Sequence, residues 1–196
     1  MAFDLEEMFY TREELENMNF KSLGENVLID RLTQIYKPEK ISLGNNVRIG
    51  SYCILSGDIN IGNYVHIASY SFLNGNSGID IGDFVGIASY ARVITESSDF
   101  SGESIAVPTV DISYRKDIKK KIHLKKHSLL GTGSVILPGG NLEEGVAVGA
   151  MSMICRPTKA FGIYFGIPAK RIQERSRNMV KLEQDILKGE INAREN

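Results

Sequence analysis

Aliphatic residues recur every six positions along most of this chain, and that period excludes most folds. Counting from Leu43 gives Ile49, Leu55, Ile61, Ile67 and Leu73. After a slip of two residues the count resumes at Ile81, Ile87 and Val93. After a non-repetitive stretch it returns at Leu124, Leu130, Ile136, Leu142, Val148 and Ile154. A six-residue period matches neither the 3.6-residue helix nor the heptad. It suits short strands joined by tight turns, each hexad sending one aliphatic side chain inward. The residue four places on is usually small or β-branched (Val47, Cys53, Val65, Ser71, Ala91, Ser134, Ser152) and fills the narrow space beside it. Gly44, Gly50, Gly62, Gly82, Gly131 and Gly149 directly follow the aliphatic, which reads as relief of the backbone at a bend. Three hexads make one triangular coil, and five coils stack into a prism with a continuous core. IGNYVHIASY at 61–70 and IGDFVGIASY at 81–90 are then successive coils, with the extra residues near Ser77–Gly78 bulging at a corner.

Outside the repeat, Thr11 and Glu14 form a Thr-x-x-Glu box, the start of a short helix that covers the open end of the core. Ile172, Met179, Leu182 and Ile186 fall at helical intervals and predict a C-terminal helix packed on the prism or on a neighbour. The expected organisation is a helical cap over 1–21, a β-helix over 22–168 interrupted by a loop at 97–121, and a C-terminal helix and tail over 169–196. The loop is small and acidic in its first half. Its second half is basic, with Lys116, Lys119, Lys120 and Lys121, then Lys125 and Lys126 just beyond. These lysines either attract phosphates or form a solvated face, and a long insertion in a compact coil is more often functional than idle. A net charge of −1 supplies no field to recruit nucleic acid. No apolar run reaches the roughly 18 residues of a membrane span. The acidic, amphipathic opening MAFDLEEMFYTREEL is unlike a secretion signal, so a cytoplasmic protein is expected. Cys53 and Cys155 make no zinc pattern and no disulfide framework.

Only three histidines are present. His66 occupies the outward position before Ile67, which one coil earlier is Arg48 and one coil later Gly86. A glycine beside a histidine on a flat wall leaves a notch for a substrate, and imidazole is the usual base near neutral pH. The alternative is a histidine that bonds across a subunit contact. His127 falls on a coil turn aligned with Asn46 and Tyr64, an exposed corner by expectation. His123 closes the variable loop, where surface is again expected.

The stretches IGNNV, IGDFVGIAS, LLGTGSVILPGG, AVGAMSM and YFGIPAKRI resemble the hexapeptide-repeat acyltransferases over about residues 22–175. The resemblance implies an all-β chain: a left-handed parallel β-helix of hexapeptide repeats with short N-terminal and C-terminal helices. It is nearest in style to bacterial sugar acetyltransferases acting on amino-deoxy sugars attached to a nucleotide. It implies acetyl-CoA as acyl donor, no metal, and a homotrimer with sites between subunits, in which walls bearing Tyr52, Tyr64, Phe72 and Tyr90 pack against copies. Thr132 and Ala150 match positions along the pantetheine arm. Arg156 and Lys170, with Arg171 beside them, match basic positions at the nucleotide end of CoA. Many relatives carry a catalytic histidine in the loop after the third face. Here that stretch is VITESSDF, where Ser98 takes the histidine's place and Asp99 follows. A second histidine motif of the family matches IGNYVHIA, but the base expected nine positions earlier is Gly57. Three arrangements stay open: His66 as base, His66 as substrate or cofactor contact with Asp99 or Glu103 taking the proton, or no strong base at all. Tyr70, Asn74, Ser98 and Glu103 are the expected acceptor contacts.

Three histidines on such a prism also resemble the γ-class carbonic anhydrases. Those enzymes space two ligands five apart, whereas His123 and His127 are four apart and His66 lies 57 before His123. The expected activity is acetyl transfer to the amine of a nucleotide-linked amino-deoxy sugar for surface polysaccharide. O-acetylation of a sugar hydroxyl and a non-catalytic scaffold are the alternatives.

Overall fold

The computed structural model describes residues 8–195, with side chains assigned through 189. It is the left-handed parallel β-helix. Three flat faces carry short parallel strands, and consecutive coils pair in register. On the second face the rungs are Leu28–Ile29, Arg48–Ile49, His66–Ile67, Gly86–Ile87, Leu129–Leu130, Ala147–Val148 and Gly162–Gly166. Ile54–Ile61 and Phe72–Ile81 bend through the corner between the third face and the first. All fifteen aliphatic positions of the six-residue count are buried, Leu55, Ile67, Leu73 and Leu130 completely. The small residues four places on are buried beside them. Deleting one such side chain, at about 2–5 kcal/mol, would leave a cavity that the stacked backbone cannot close.

Two expectations change. The prism has seven rungs on its second face, not five coils: Leu23, Ile29 and Ile35 precede Leu43 with another two-residue slip, spent on the turn Pro38–Lys40. The glycines after the aliphatics do not relieve a bend. A Cβ on Gly44 would stand 2.6 Å from the Gly62 carbonyl oxygen, and one on Gly131 2.5 Å from that of Val148, so close stacking of backbones demands them. The left-handed turn residues are mostly not glycine. Asn46, Tyr64, Phe84 and His127 all have φ near +57° in a column at the corner between the first and second faces. Tyr52, Tyr70 and Tyr90 do the same between the second and third. Stacking offsets the backbone cost at both corners: Tyr52, Tyr70 and Tyr90 lie 4.9 and 4.8 Å apart, Tyr64 and Phe84 4.5 Å.

At the N-terminal end the Thr11–Glu14 capping box forms and starts helix Arg12–Asn17, which buries Leu15 against the core. Glu14 also takes two bonds from Arg31, at 2.8 and 2.7 Å. Arg31, then the Thr11 N–H, hold its carboxyl down to about 2. A depressed folded value gives stability that is complete above the ordinary value of 4.5 and lost as pH falls through about 2. Both side chains are about two-fifths exposed, so solvent screens the pair. Glu14→Gln is therefore expected to flatten slightly the fall of Tm between pH 4.5 and 2, read by thermal melts across that range.

The C-terminal end also differs from expectation. Gly162–Gly166 doubles back antiparallel as Ala169–Glu174, so Ile172 sits exposed on a strand, and the helix begins only at Asn178 and runs to Glu195. Leu182 and Ile186 are exposed; the helix side chain buried on the prism is Glu183. It meets His127, which is 6% exposed rather than out at a corner. No helix among the described residues is long and apolar enough to cross a membrane.

Candidate functional site

The loop leaves the prism where the extra residues of the previous coil bulge. Ser77 is tied to Thr95 by its N–H (3.1 Å) and to Glu96 by its hydroxyl (2.8 Å). Glu96–Ser97 then pairs antiparallel with Ile118–Lys119, so the intervening loop hangs from a two-rung ladder. Asp99 sits at its start, half-buried, accepting from the Ser101 N–H (2.9 Å), the Ser101 hydroxyl (2.8 Å) and the Ser104 hydroxyl (2.9 Å). These donors, Ser101 first, hold its carboxyl below the usual aspartate range. Ser98 donates to the Ala106 carbonyl at 2.8 Å, and Glu103 pairs with Lys116 at 3.3 Å. Asn74 lies at the root of the loop, its carbonyl accepting from Thr95 and its amide oxygen from the Asn76 N–H. Four of the expected residues thus gather at one corner, between the third and first faces.

The others lie elsewhere on the prism. Tyr70 is the middle ring of the tyrosine ladder. Thr132 and Ala150 extend that second-to-third corner in the next two coils, joined by a bond from the Met151 N–H to the Thr132 carbonyl at 2.8 Å. Arg156 and Lys170 converge from two elements on a cavity of about 290 Å³ at the C-terminal end, walled by Cys155, Pro157, Tyr164 and Pro168. Two cations over an apolar slot suit a phosphorylated nucleotide, and small corner side chains suit a narrow arm beside them. Arg171 is not in that lining; it pairs with Glu174.

His66 stands alone on the second face. Its strand neighbours are Arg48 and Gly86, and the described residues give its ring no hydrogen-bond partner. Partial burial, then Arg48, lower its pKa and so favour the neutral ring. The expected notch over Gly86 is bordered by Leu129 of the next coil: a Cβ on Gly86 would lie 3.0 Å from Leu129 Cδ1. In a three-sided prism the loop corner lies across from this face, so one chain does not bring His66 and Asp99 together. His123 is half-buried, its Nδ1 3.1 Å from Asp80, which also binds Lys121 at 2.8 Å. Among the described residues no three His, Cys, Asp or Glu side chains converge as metal ligands would.

Two residues escaped sequence reasoning. Arg115 was hidden beside the lysines, and only the fold shows that it turns into the loop. Glu183 looked like solvent-facing helix charge.

The sequence profile described as bacterial transferase hexapeptide (six repeats) matches residues 40–75. A dTDP-4-amino-4,6-dideoxy-D-glucose acyltransferase of Escherichia coli is 39% identical over 173 residues, covering 87% of this chain and 90% of its own. AntD, an N-acyltransferase from Bacillus cereus, solved with dTDP and 3-hydroxybutyryl-CoA, superposes with a TM-score of 0.91 at 45% identity, covering 93% of this chain and 97% of its own. A serine-to-alanine variant of AntD, solved with dTDP-4-amino-4,6-dideoxyglucose and coenzyme A, gives a TM-score of 0.91 at 46% identity, covering 92% and 98%.

Proposed function

This chain belongs to the hexapeptide-repeat acyltransferases of nucleotide-linked amino sugars, and from that membership we propose that it moves an acyl group from a CoA thioester to the 4-amino group of a dTDP-linked 4-amino-4,6-dideoxyhexose. The observation that carries the reading is the near-complete alignment with two proteins named for that chemistry. The cavity under Arg156 and Lys170 supports it, since it offers cations where the nucleotide end of CoA would lie.

CoA supplies the activated acyl group; the protein's residues must bind, orient and manage one proton. The acceptor amine arrives as an ammonium, loses one proton to solvent and then attacks the thioester carbonyl; as the C–N bond forms the C–S bond breaks, and CoA leaves as the thiol with the second proton from the nitrogen. Asp99, kept anionic by three donors, is placed to bind that ammonium and to stabilise positive charge as the new C–N bond forms. AntD has been altered at a serine and at an aspartate ten positions further on. Ser89 and Asp99 have that spacing here. So do Ser101 and Asp111, but Ser101 is bonded to Asp99 and Asp111 caps the turn Ile112–Tyr114. Ser89 lies on the second-to-third corner, its carbonyl accepting from Gly133 N–H at 3.0 Å, one coil from Thr132.

Completion of the site needs more than one chain, and we place it in a homotrimer. Asp99, the Thr132–Ala150 corner and His66 occupy different sides of a single prism. The exposed ridge of Tyr52, Tyr70 and Tyr90 and the loop's Phe100, 90% exposed, give adjacent chains apolar surface to share. The reading places the enzyme in the cytoplasm, with its product destined for surface polysaccharide.

The test is thiol release from acetyl-CoA and 3-hydroxybutyryl-CoA with dTDP-4-amino-4,6-dideoxyglucose, scored by product mass. One thiol per N-acylated sugar is expected. Turnover of a 4-hydroxy analogue but not of the amine would favour O-acylation instead. No turnover with any nucleotide amino sugar, together with no CoA binding by calorimetry, would sink the enzyme reading.

A further inference from the structure

We propose that Arg175 positions Lys170 for the acyl donor, so that CoA binding and docking of the C-terminal helix reinforce each other. The inference rests on the assignment of the Arg156–Lys170 cavity to the nucleotide end of CoA, given above. The two cations reach that cavity on different mounts. Arg156 follows the inward rung at Ile154, in the body of the prism. Lys170 belongs to Ala169–Glu174, the edge strand of its sheet, which pairs with Gly162–Gly166 alone. That ladder slips in register between Ile163 and Tyr164, and its turn begins at Gly166 with φ at 104°. A strand held along one edge opens easily unless a second anchor keeps it in place.

The anchor is the segment that follows. The Arg175 N–H donates to the Phe161 carbonyl at 2.7 Å. Its guanidinium crosses the coils and donates to the carbonyls of His127 at 2.8 Å, Gly145 at 3.2 Å and Val146 at 3.4 Å. These bonds tie the end of the strand to three successive coils. Two residues on, the Arg177 guanidinium lies over the Phe161 ring, 4.3 Å from its centre. Glu183 then reaches His127 at 2.9 Å. His127, Gly145 and Phe161 form one corner column, with φ at 59°, 67° and 51°. Three side chains of the C-terminal segment thus grip a single column, and Lys170 is carried between that grip and the turn at Gly166. The neighbouring cation, Arg171, pairs with Glu174, so Lys170 is the charge this strand brings to the cavity. An anion bridging Arg156 and Lys170 fixes the same strand that Arg175 fixes. Binding and docking then share one ordering cost, and each favours the other by an equal factor.

The measurements are calorimetric binding of CoA and dTDP, and hydrogen exchange, on the full-length protein. Saturating CoA is expected to slow exchange over residues 178–189 about tenfold, and saturating dTDP to leave it unchanged. Arg175→Gln is expected to weaken CoA about tenfold and dTDP not at all. In turnover it should raise KM for acetyl-CoA and leave kcat at saturating donor within about twofold, since Arg175 touches no reacting atom. Arg175→Lys, which still offers the carbonyls a donor, should recover part of the CoA affinity. Exchange unaffected by CoA, or wild-type CoA affinity in Arg175→Gln, overturns this inference alone. Equal weakening of CoA and dTDP in Arg175→Gln also overturns it, since that end of the prism would then have lost its fold. A wild-type protein that binds no CoA overturns this inference and the donor-site assignment together.

Discussion

Asp99→Asn is expected to lower kcat about 10²-fold or more at saturating substrates, while His66→Ala leaves it within about threefold. The two residues differ in what surrounds them. Asp99 collects donors from Ser101 and Ser104 that favour its charged form, so its anion is already in place when positive charge grows on the amine. The asparagine keeps one acceptor oxygen but turns an N–H2 toward hydroxyls that now donate to Asp99, so the variant removes the anion together with part of its hydrogen bonding. His66 has Arg48 on one side and Gly86, bordered by Leu129, on the other, with no carboxylate to orient its ring. The pH profile separates the roles further. With its carboxyl held below the usual aspartate range, Asp99 is ionised throughout the assay range, and kcat/KM should climb with pH only as the acceptor amine loses its proton. Asp99→Asn then lowers the plateau without moving that limb. Near-full kcat in Asp99→Asn with collapse in His66→Ala would reverse the assignment.

The fold was legible because a solenoid is nearly one-dimensional. The partner of each core residue lies one coil away at a fixed offset, so a count along the chain is also a map of the core. The count from Leu43 to Ile154 therefore found every inward rung it touched. It missed the three inward positions before Leu43 because the slip between Ile35 and Leu43 was not recognised as the same device as that between Leu73 and Ile81. The candidate site was less legible, since it depends on elements that break the period. His66 looked informative because Gly86 replaced it one coil on, yet the next side chain along that face is Leu129, which is 43 positions further along behind the inserted loop. Arg115 is one of several basic letters in sequence, and only the loop's closure distinguishes it. His127 was aligned to the right corner column and assigned the wrong exposure, because the residue that covers it, Glu183, is 56 positions away on the terminal helix.

That contact leads to the largest expected effect on stability. Glu183 Oε2 lies 2.9 Å from His127 Nε2, its other oxygen meets Lys126, and the His127 and Glu183 side chains are 5% and 9% exposed. Arg175 approaches the same corner, donating at 2.8 Å to the His127 carbonyl and more loosely to those of Gly145 and Val146. The helix thus closes the aromatic column of Tyr64, Phe84 and His127 with polar contacts, while Leu182 and Ile186 face out. Glu183→Ala removes the acceptor and leaves a buried imidazole without it, a loss of about 3 kcal/mol. The loss should be local. The coils beneath keep their own aliphatic stack, so hydrogen exchange over residues 178–189 should accelerate about 10²-fold while exchange at Ile67 and Ile87 is unchanged. Glu183→Gln, which still offers His127 an oxygen, should recover part of the protection. Because Lys126 and His127 hold the Glu183 carboxyl below its ordinary value despite burial, the clasp is complete near neutrality and loosens as acid protonates it. Equal exchange in wild type and Glu183→Ala would mean that Arg175 alone retains the helix.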